Sequence, residues 1–187
     1  MNAPAVVIFL DRDGVINVFP GERKYVTSLE GFFFLDGAIE GIKKLKDKGF
    51  FVYVISNQAG VSKGIYSQAN LDAIDAYLIR ELKKQGTALD GIYYCTHQET
   101  ENCSCRKPKT GMLEKATAHL KAKRCFFVGD SLIDIEAGKN FGCTTVLVLS
   151  GRETDRSVVS SWKTKPDHVS ADLKAAAEYI ANLICIR

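Results

Sequence analysis

Long hydrophobic runs are missing from this 187-residue sequence: no stretch approaches the roughly 18 continuous apolar residues of a membrane-spanning helix. The opening residues, Met1 to Ala5, carry no basic segment ahead of the short apolar run 6–10, so no signal peptide is expected. A surplus of one charge is missing as well. With 25 Lys and Arg against 22 Asp and Glu, the formal net charge is +3, and no Lys/Arg stripe marks the footprint of a nucleic-acid-binding chain. Internal repeats, low-complexity tracts and domain linkers are absent too. What remains, 46% hydrophobic and 25% charged, is the composition of an ordinary globular protein. This length buries one substantial core but not two, so residues 1–187 are expected to form a single domain. A cytoplasmic location is expected, and with it six cysteines that are reduced or metal-bound rather than paired in disulfides.

Apolar, β-branched runs at 6–10, 51–56, 91–95, 124–128 and 144–149 alternate with segments of helical period at 38–48, 67–85, 111–120, 131–141 and 171–183. In the second helical segment Leu71, Ile74, Leu78 and Leu82 recur at spacings of three and four, and Ser67 precedes them as an N-cap. The pattern predicts an α/β fold, a parallel sheet with helices on both faces and right-handed crossovers. Residues 151–166, polar and irregular, read as a surface loop.

Ligands of such sheets bind beyond the carboxyl ends of the strands. There the sequence places Asp11-Arg12-Asp13-Gly14, Ser56-Asn57-Gln58 and Gly129-Asp130-Ser131. An isolated Asp-x-Asp after a strand reads as a surface turn. Here Asp11, Asp13 and Asp130 converge from two strands, and closely spaced carboxylates repel unless a cation or shared proton relieves them. An all-oxygen set suits magnesium.

The order Asp-x-Asp-Gly-Val, Ser-Asn, a Lys before a helix, and Gly-Asp-x-x-x-Asp, each in its place among the strands, resembles the haloacid dehalogenase-like phosphatase superfamily. The resemblance runs from Val6 to about Leu149. It implies a Rossmann-like fold with a turn and hairpin flap over 15–35, no large cap domain, and a monomer. It also implies roles. Asp11 is the expected nucleophile, attacking phosphorus to give an acyl phosphate. Asp13 is the expected general acid and then base. Ser56 and Lys107 are expected to stabilise the phosphoryl oxygens, and Mg2+ to be held by the Asp11 side chain, the Asp13 carbonyl and the Asp130 side chain. Asp134 is expected behind these groups, or else serves only as an acidic residue at a helix N-terminus.

Between the third strand and the next helix stand Cys95, His97, Cys103 and Cys105, four ligands within eleven residues, matching a closed structural Zn2+ site with no open position. Such a clip at 95–105 stiffens a long loop and places Arg106 and Lys107, which follow directly. Loop and following Arg-Lys-Pro-x-x-Gly-Met together resemble the branch that contains D-glycero-D-manno-heptose-1,7-bisphosphate 7-phosphatase and the histidinol-phosphatase domain. The implied substrate is a small phosphorylated sugar, the heptose bisphosphate attacked at C7, with histidinol phosphate as the alternative. Arg106 is implied in substrate recognition, and Ser56, Asn57, Gln58 and Ala59 in lining the site. Ser131 departs from the family's frequent Lys at that position, and Arg23, Lys24 or Lys63 are the basic residues available to replace it. Two further readings compete. A zinc-dependent nucleic-acid-binding module lacks stacking aromatics beside Arg106 and Lys107, and a non-catalytic relative is at odds with intact Asp11, Asp13, Lys107 and Asp130.

Overall fold

The computed structural model describes residues 5–185, so the expectation drawn from residues 1–4 lies outside it. Six parallel strands form one sheet: β1 (Ala5–Leu10), β2 (Phe51–Asn57), β3 (Gly91–Cys95), β4 (Ala122–Gly129), β5 (Thr144–Val148) and β6 (His168–Ser170), in the spatial order β3-β2-β1-β4-β5-β6. Helices α1 (Ala38–Asp47), α2 (Gln68–Lys84), α3 (Gly111–Thr117), α4 (Leu132–Phe141) and α5 (Leu173–Cys185) connect and cover it. No helix among the described residues is long and apolar enough to cross a membrane.

The strands are buried on both sides, and their alternation sorts the core into two layers. Ile8 and Leu10 of β1 pack with Val52, Val54, Phe126 and Val128 beneath α1, α2 and α5. Val7 and Phe9 point the other way, to Tyr53, Ile55, Phe127 and the apolar residues of α3. Val7, Ile8, Phe9 and Leu10 are fully buried, each worth about 1.5–3 kcal/mol. The residue that follows them, Asp11, is therefore held by a run of four fully buried residues.

Strand order reverses between β1 and β4, and β1 is bonded on through Asp11, whose N–H donates to the Val128 carbonyl at 3.0 Å. Asp11 and Asp130 thus leave neighbouring strands at the switch point where ligands of open α/β sheets bind. Ser67 caps α2 as expected, accepting the Asn70 N–H.

Three details differ from the sequence reading. The strand β6 escapes periodicity because three residues carry too little alternation to register. The segment 151–166 is not simply a surface loop. It holds a 3-10 turn (Arg156–Ser161) that brings Trp162 down onto Ile135 and Leu147. The flap, in turn, is closed by a single antiparallel bridge between Asn17 and Phe34 rather than by a hairpin ladder. Its chain is fixed at the base instead, where Arg12 O accepts the N–H groups of Ile16 and Asn17.

Candidate active site

Lys107 lies at the centre of the rim. Its ammonium donates to Ile55 O at 2.9 Å and to Asp134 Oδ1 at 2.6 Å, and stands 2.9 Å from Asp11 Oδ1. Burial disfavours its charge, but Asp11 and Asp134 outweigh that and hold its pKa above the ordinary lysine value. Asn57 locks the backbone beneath it by a reciprocal pair: Lys107 N–H donates to Asn57 Oδ1 at 3.0 Å, and Asn57 Nδ2 to Lys107 O at 3.2 Å.

The carboxylates of Asp11, Asp130 and Asp134 each offer an oxygen within 4.8 Å of the others. Burial, partly opposed by Lys107, raises Asp11 to about 6, and burial together with Asp134 and Asp11 lifts Asp130 well above the usual carboxylate range. Asp134 is occupied, since its second oxygen accepts the Ser131 hydroxyl at 2.5 Å. A backbone without side chains makes room here: Gly14, at φ +84, faces Gly151, and a Cβ on either would overlap the Asp130 carboxylate.

Asp13 is clamped differently. Its Oδ1 accepts from Arg12 Nε at 3.2 Å and from Asn17 Nδ2 at 2.9 Å, and its Oδ2 from Gln58 Nε2 at 3.0 Å. Ser56 and Asn57 line the cavity in front of these groups. The structure puts Gln58 and Ala59 behind it, fully buried and almost fully buried, so they support the wall rather than form it. Around the outer cavity stand Arg23, Lys24, Arg106 and Arg152, with Phe19 and Tyr25 from the flap. Lys63 is not on that wall; its ammonium donates to Tyr25 Oη at 3.1 Å.

Beside the cavity, the sulfurs of Cys95, Cys103 and Cys105 lie 3.3–3.6 Å apart, and His97 Nδ1 is 3.3 Å from Cys105 and 3.6 Å from Cys95. These separations are close to the edge of a tetrahedron with metal–sulfur bonds of about 2.3 Å. Burial pushes the Cys95 thiol to about 12. For Cys103 burial acts upward too, but the Arg106 N–H and the neighbouring thiols win and bring it to about 7.

A family model described as HAD-hydrolase-like matches residues 104–176. The D-glycero-D-manno-heptose-1,7-bisphosphate 7-phosphatase of Chlorobaculum tepidum is 37% identical over 191 residues, covering 94% of each chain. The D-glycero-alpha-D-manno-heptose-1,7-bisphosphate 7-phosphatase of Campylobacter jejuni is 35% identical, covering 83% of this chain and 89% of its own. The chain belongs to the heptose-1,7-bisphosphate 7-phosphatase family of haloacid dehalogenase-like hydrolases. Among solved structures, the D,D-heptose 1,7-bisphosphate phosphatase of B. bronchiseptica, complexed with magnesium and phosphate, superposes with a TM-score of 0.85 at 30% identity over 95% of this chain and 98% of that one.

Membership in this phosphatase family gives the carboxylate cluster its meaning. The buried Asp11 Oδ1 has no aligned hydrogen-bond donor despite the nearby Lys107, so it retains a lone pair for a cation. With Asp130 alongside, the donor set is hard oxygen, as Mg2+ requires. Three contributors were not visible in the sequence. Arg12, fully buried and stacked 5.6 Å from the Tyr94 ring centre, orients Asp13. Asn17 does the same from the flap. Arg152 donates its N–H to Asp130 Oδ2 at 2.6 Å from a segment that reads as an undistinguished loop.

A pH dependence follows in this phosphatase. Asp11 and Asp130 have folded pKa values above their unfolded ones; for Asp11 the metal-free folded state binds an extra proton between about pH 4 and 6, and Asp130 shifts in the same direction. Their contribution to stability is full below the unfolded value and lost as pH rises through the folded one. A magnesium ion held at these oxygens would compete with those protons. The rise in Tm on adding magnesium, followed by scanning fluorimetry, is therefore expected to be small near pH 5 and to grow towards pH 7. A shift independent of pH would contradict binding at this cluster.

Proposed function

We infer that the chain is a magnesium-dependent phosphatase that removes the C7 phosphate of D-glycero-D-manno-heptose 1,7-bisphosphate, acting as one domain. The observation carrying this reading is the division of the cavity. One cation, Lys107, sits at its floor beside Asp11, while Arg23, Lys24, Arg106 and Arg152 stand apart on the outer wall. One phosphoryl group satisfies the floor. Arg152 pairs with Glu22 at 3.5 Å, and the charges of Arg23, Lys24 and Arg106 suit a second anionic group further along the substrate.

In this mechanism Asp11 attacks phosphorus in line, forming an acyl phosphate as the bond between phosphorus and the C7 oxygen breaks. Asp13 gives its proton to the departing C7 oxygen, then takes one from the water that hydrolyses the acyl phosphate. The Arg12, Asn17 and Gln58 contacts keep its carboxyl aimed through both steps. Ser56 and Lys107 hold the equatorial oxygens of the phosphoryl group. Asp134 keeps the Lys107 ammonium charged and in place. Bound at Asp11, Asp130 and the Asp13 carbonyl, magnesium supplies charge compensation that lets a carboxylate approach a phosphate.

The test is a panel of substrates. The 1,7-bisphosphate should exceed the 7-monophosphate in kcat/KM, because binding energy from the remote phosphate improves positioning of the reacting one. Arg106→Ala should narrow that gap, by about tenfold if one charge-assisted contact worth about 1.5 kcal/mol is lost. A higher kcat/KM for histidinol phosphate, or release of the anomeric phosphate first, would overturn the substrate assignment and leave the phosphatase chemistry standing.

Zn2+ is the proposed occupant of Cys95, His97, Cys103 and Cys105, as a structural clip. Elemental analysis of protein made in zinc-replete medium is expected to find about one zinc per chain, since a Cys3His set takes one closed tetrahedral ion. Cys103→Ser should lower zinc content and Tm together, and reduce activity through loosened Arg106 and Lys107. Full zinc content in that variant would argue against the ligand set.

A further inference from the structure

Behind the cavity wall, one side chain touches two groups with different tasks. Gln58 Nε2 donates to Asp13 Oδ2 at 3.0 Å and to Ser56 Oγ at 3.2 Å. Its Oε1 accepts the Tyr66 hydroxyl at 2.6 Å. Gln58 is fully buried, Ser56 and Tyr66 are buried, and Asp13 is partly buried at the cavity. An amide has two possible orientations, and only one serves here. In its ionised form Asp13 accepts and cannot donate, so the NH2 group faces it; Tyr66, donating to Oε1, secures that orientation from the other end. Burial raises Tyr66 to about 12, so it stays a neutral donor.

The local fold is built to bring Tyr66 back over Gln58. Gln58 N–H donates to Cys95 O, tying the end of β2 to the end of β3, and the turns that follow are closed by Lys63 N–H to Ala59 O and Ile65 N–H to Gly60 O. Residue 60 is a glycine because a Cβ there would overlap the Tyr66 ring and press on Tyr25. Tyr25, from the flap, packs on Tyr66 with ring centres 5.9 Å apart.

We propose that Gln58, oriented by Tyr66, is a positioning residue that holds the proton-transferring Asp13 and the phosphoryl-binding Ser56 in register through a single amide. By occupying a lone pair of Ser56 Oγ, the amide leaves the hydroxyl hydrogen free to donate into the cavity. By bonding Asp13 Oδ2, it sets the carboxyl plane relative to the leaving oxygen. Gln58 touches no substrate; it acts through these two neighbours. The inference rests on the roles given above to Asp13 and Ser56.

The experiment compares the sugar phosphate, whose alkoxide leaving group needs a proton, with p-nitrophenyl phosphate, whose leaving group does not. In the magnesium-loaded full chain, Gln58→Leu is expected to lower kcat about 100-fold on the sugar phosphate and about tenfold on the aryl phosphate, the scale of a small misplacement of reacting groups. KM should change little. Tyr66→Phe, which removes one oxygen and keeps the ring, should show the same bias with a smaller loss, and carries the test if Gln58→Leu does not fold. Equal losses on both substrates, or no loss in either variant, would overturn the proposal. Asp13→Asn is measured beside them. If it shows no bias against the sugar phosphate, the role of Asp13 fails; if it shows the bias and the Gln58 and Tyr66 variants do not, only the positioning inference fails.

Discussion

Asp11→Asn is expected to reduce turnover by roughly 10^4-fold or more, the scale seen when a covalent nucleophile is removed, without harming the fold. The asparagine amide is a poor nucleophile and a weaker ligand for a hard cation. Stability should move the other way. In the metal-free protein burial raises Asp11 to about 6, which means that its ionised form is disfavoured in the folded state at neutral pH. A neutral amide removes that penalty, and Lys107 keeps Asp134 and the Ile55 carbonyl as partners. Metal-free Asp11→Asn is thus expected to melt at or above the parent temperature near pH 7.5, measured by calorimetry, and to show no acid-stable label after incubation with a phosphorylated substrate. Retention of a tenth of the parent kcat in purified protein would end the nucleophile assignment.

The second large effect is at Lys107, where loss of one ammonium strikes both stability and chemistry. Lys107→Met leaves Asp11 and Asp134 buried without their shared counterion, a change worth about 3–5 kcal/mol when one partner of a buried pair is removed. It also removes the ammonium proposed to hold the phosphoryl oxygens, worth about 10^2–10^3 in kcat. The two losses separate in the double variant Lys107→Met/Asp134→Asn, which no longer strands a charge at residue 134. Part of the stability should return in denaturant titrations while kcat stays low. Recovery of both would show that Lys107 acts only through packing and charge balance. Lys107→Arg should not restore activity, since a planar guanidinium cannot donate to both Ile55 O and Asp134 and still hold its charge beside Asp11 within the same space.

The sequence was most readable where function is linear. Asp11 and Asp13 follow a fully buried strand, Ser56 and Asp130 sit at other strand ends, and the sheet geometry alone carries them to one rim. The clustering of Cys95, His97, Cys103 and Cys105 was readable for the same reason, since they lie within one short stretch of chain. What stayed hidden depends on contacts between distant segments. Gln58 looks like a wall residue beside Ser56, yet its side chain turns inward because Asp13 and Tyr66 supply its partners. Arg12 stands between two aspartates with nothing in the sequence to mark it, and it is buried because Asp13 and the Tyr94 ring receive it. Arg152 and Trp162 were lost in a polar segment whose anchoring comes from Asp130 and from the α4–β5 surface.

The place of β1 between β2 and β4 also shapes how the protein is made. A chain growing on the ribosome can pair the first strand with the second early, but its other edge must wait for residues 122–129. Until then 6–10 form an apolar strand with one open side, the kind of edge that recruits foreign strands, and a nascent chain stalled in this interval is exposed to aggregation. Asp130 arrives with the same late segment. The cluster of Asp11, Asp130 and Asp134 is therefore assembled only once that segment has emerged, and truncated products that stop short of it lack the site.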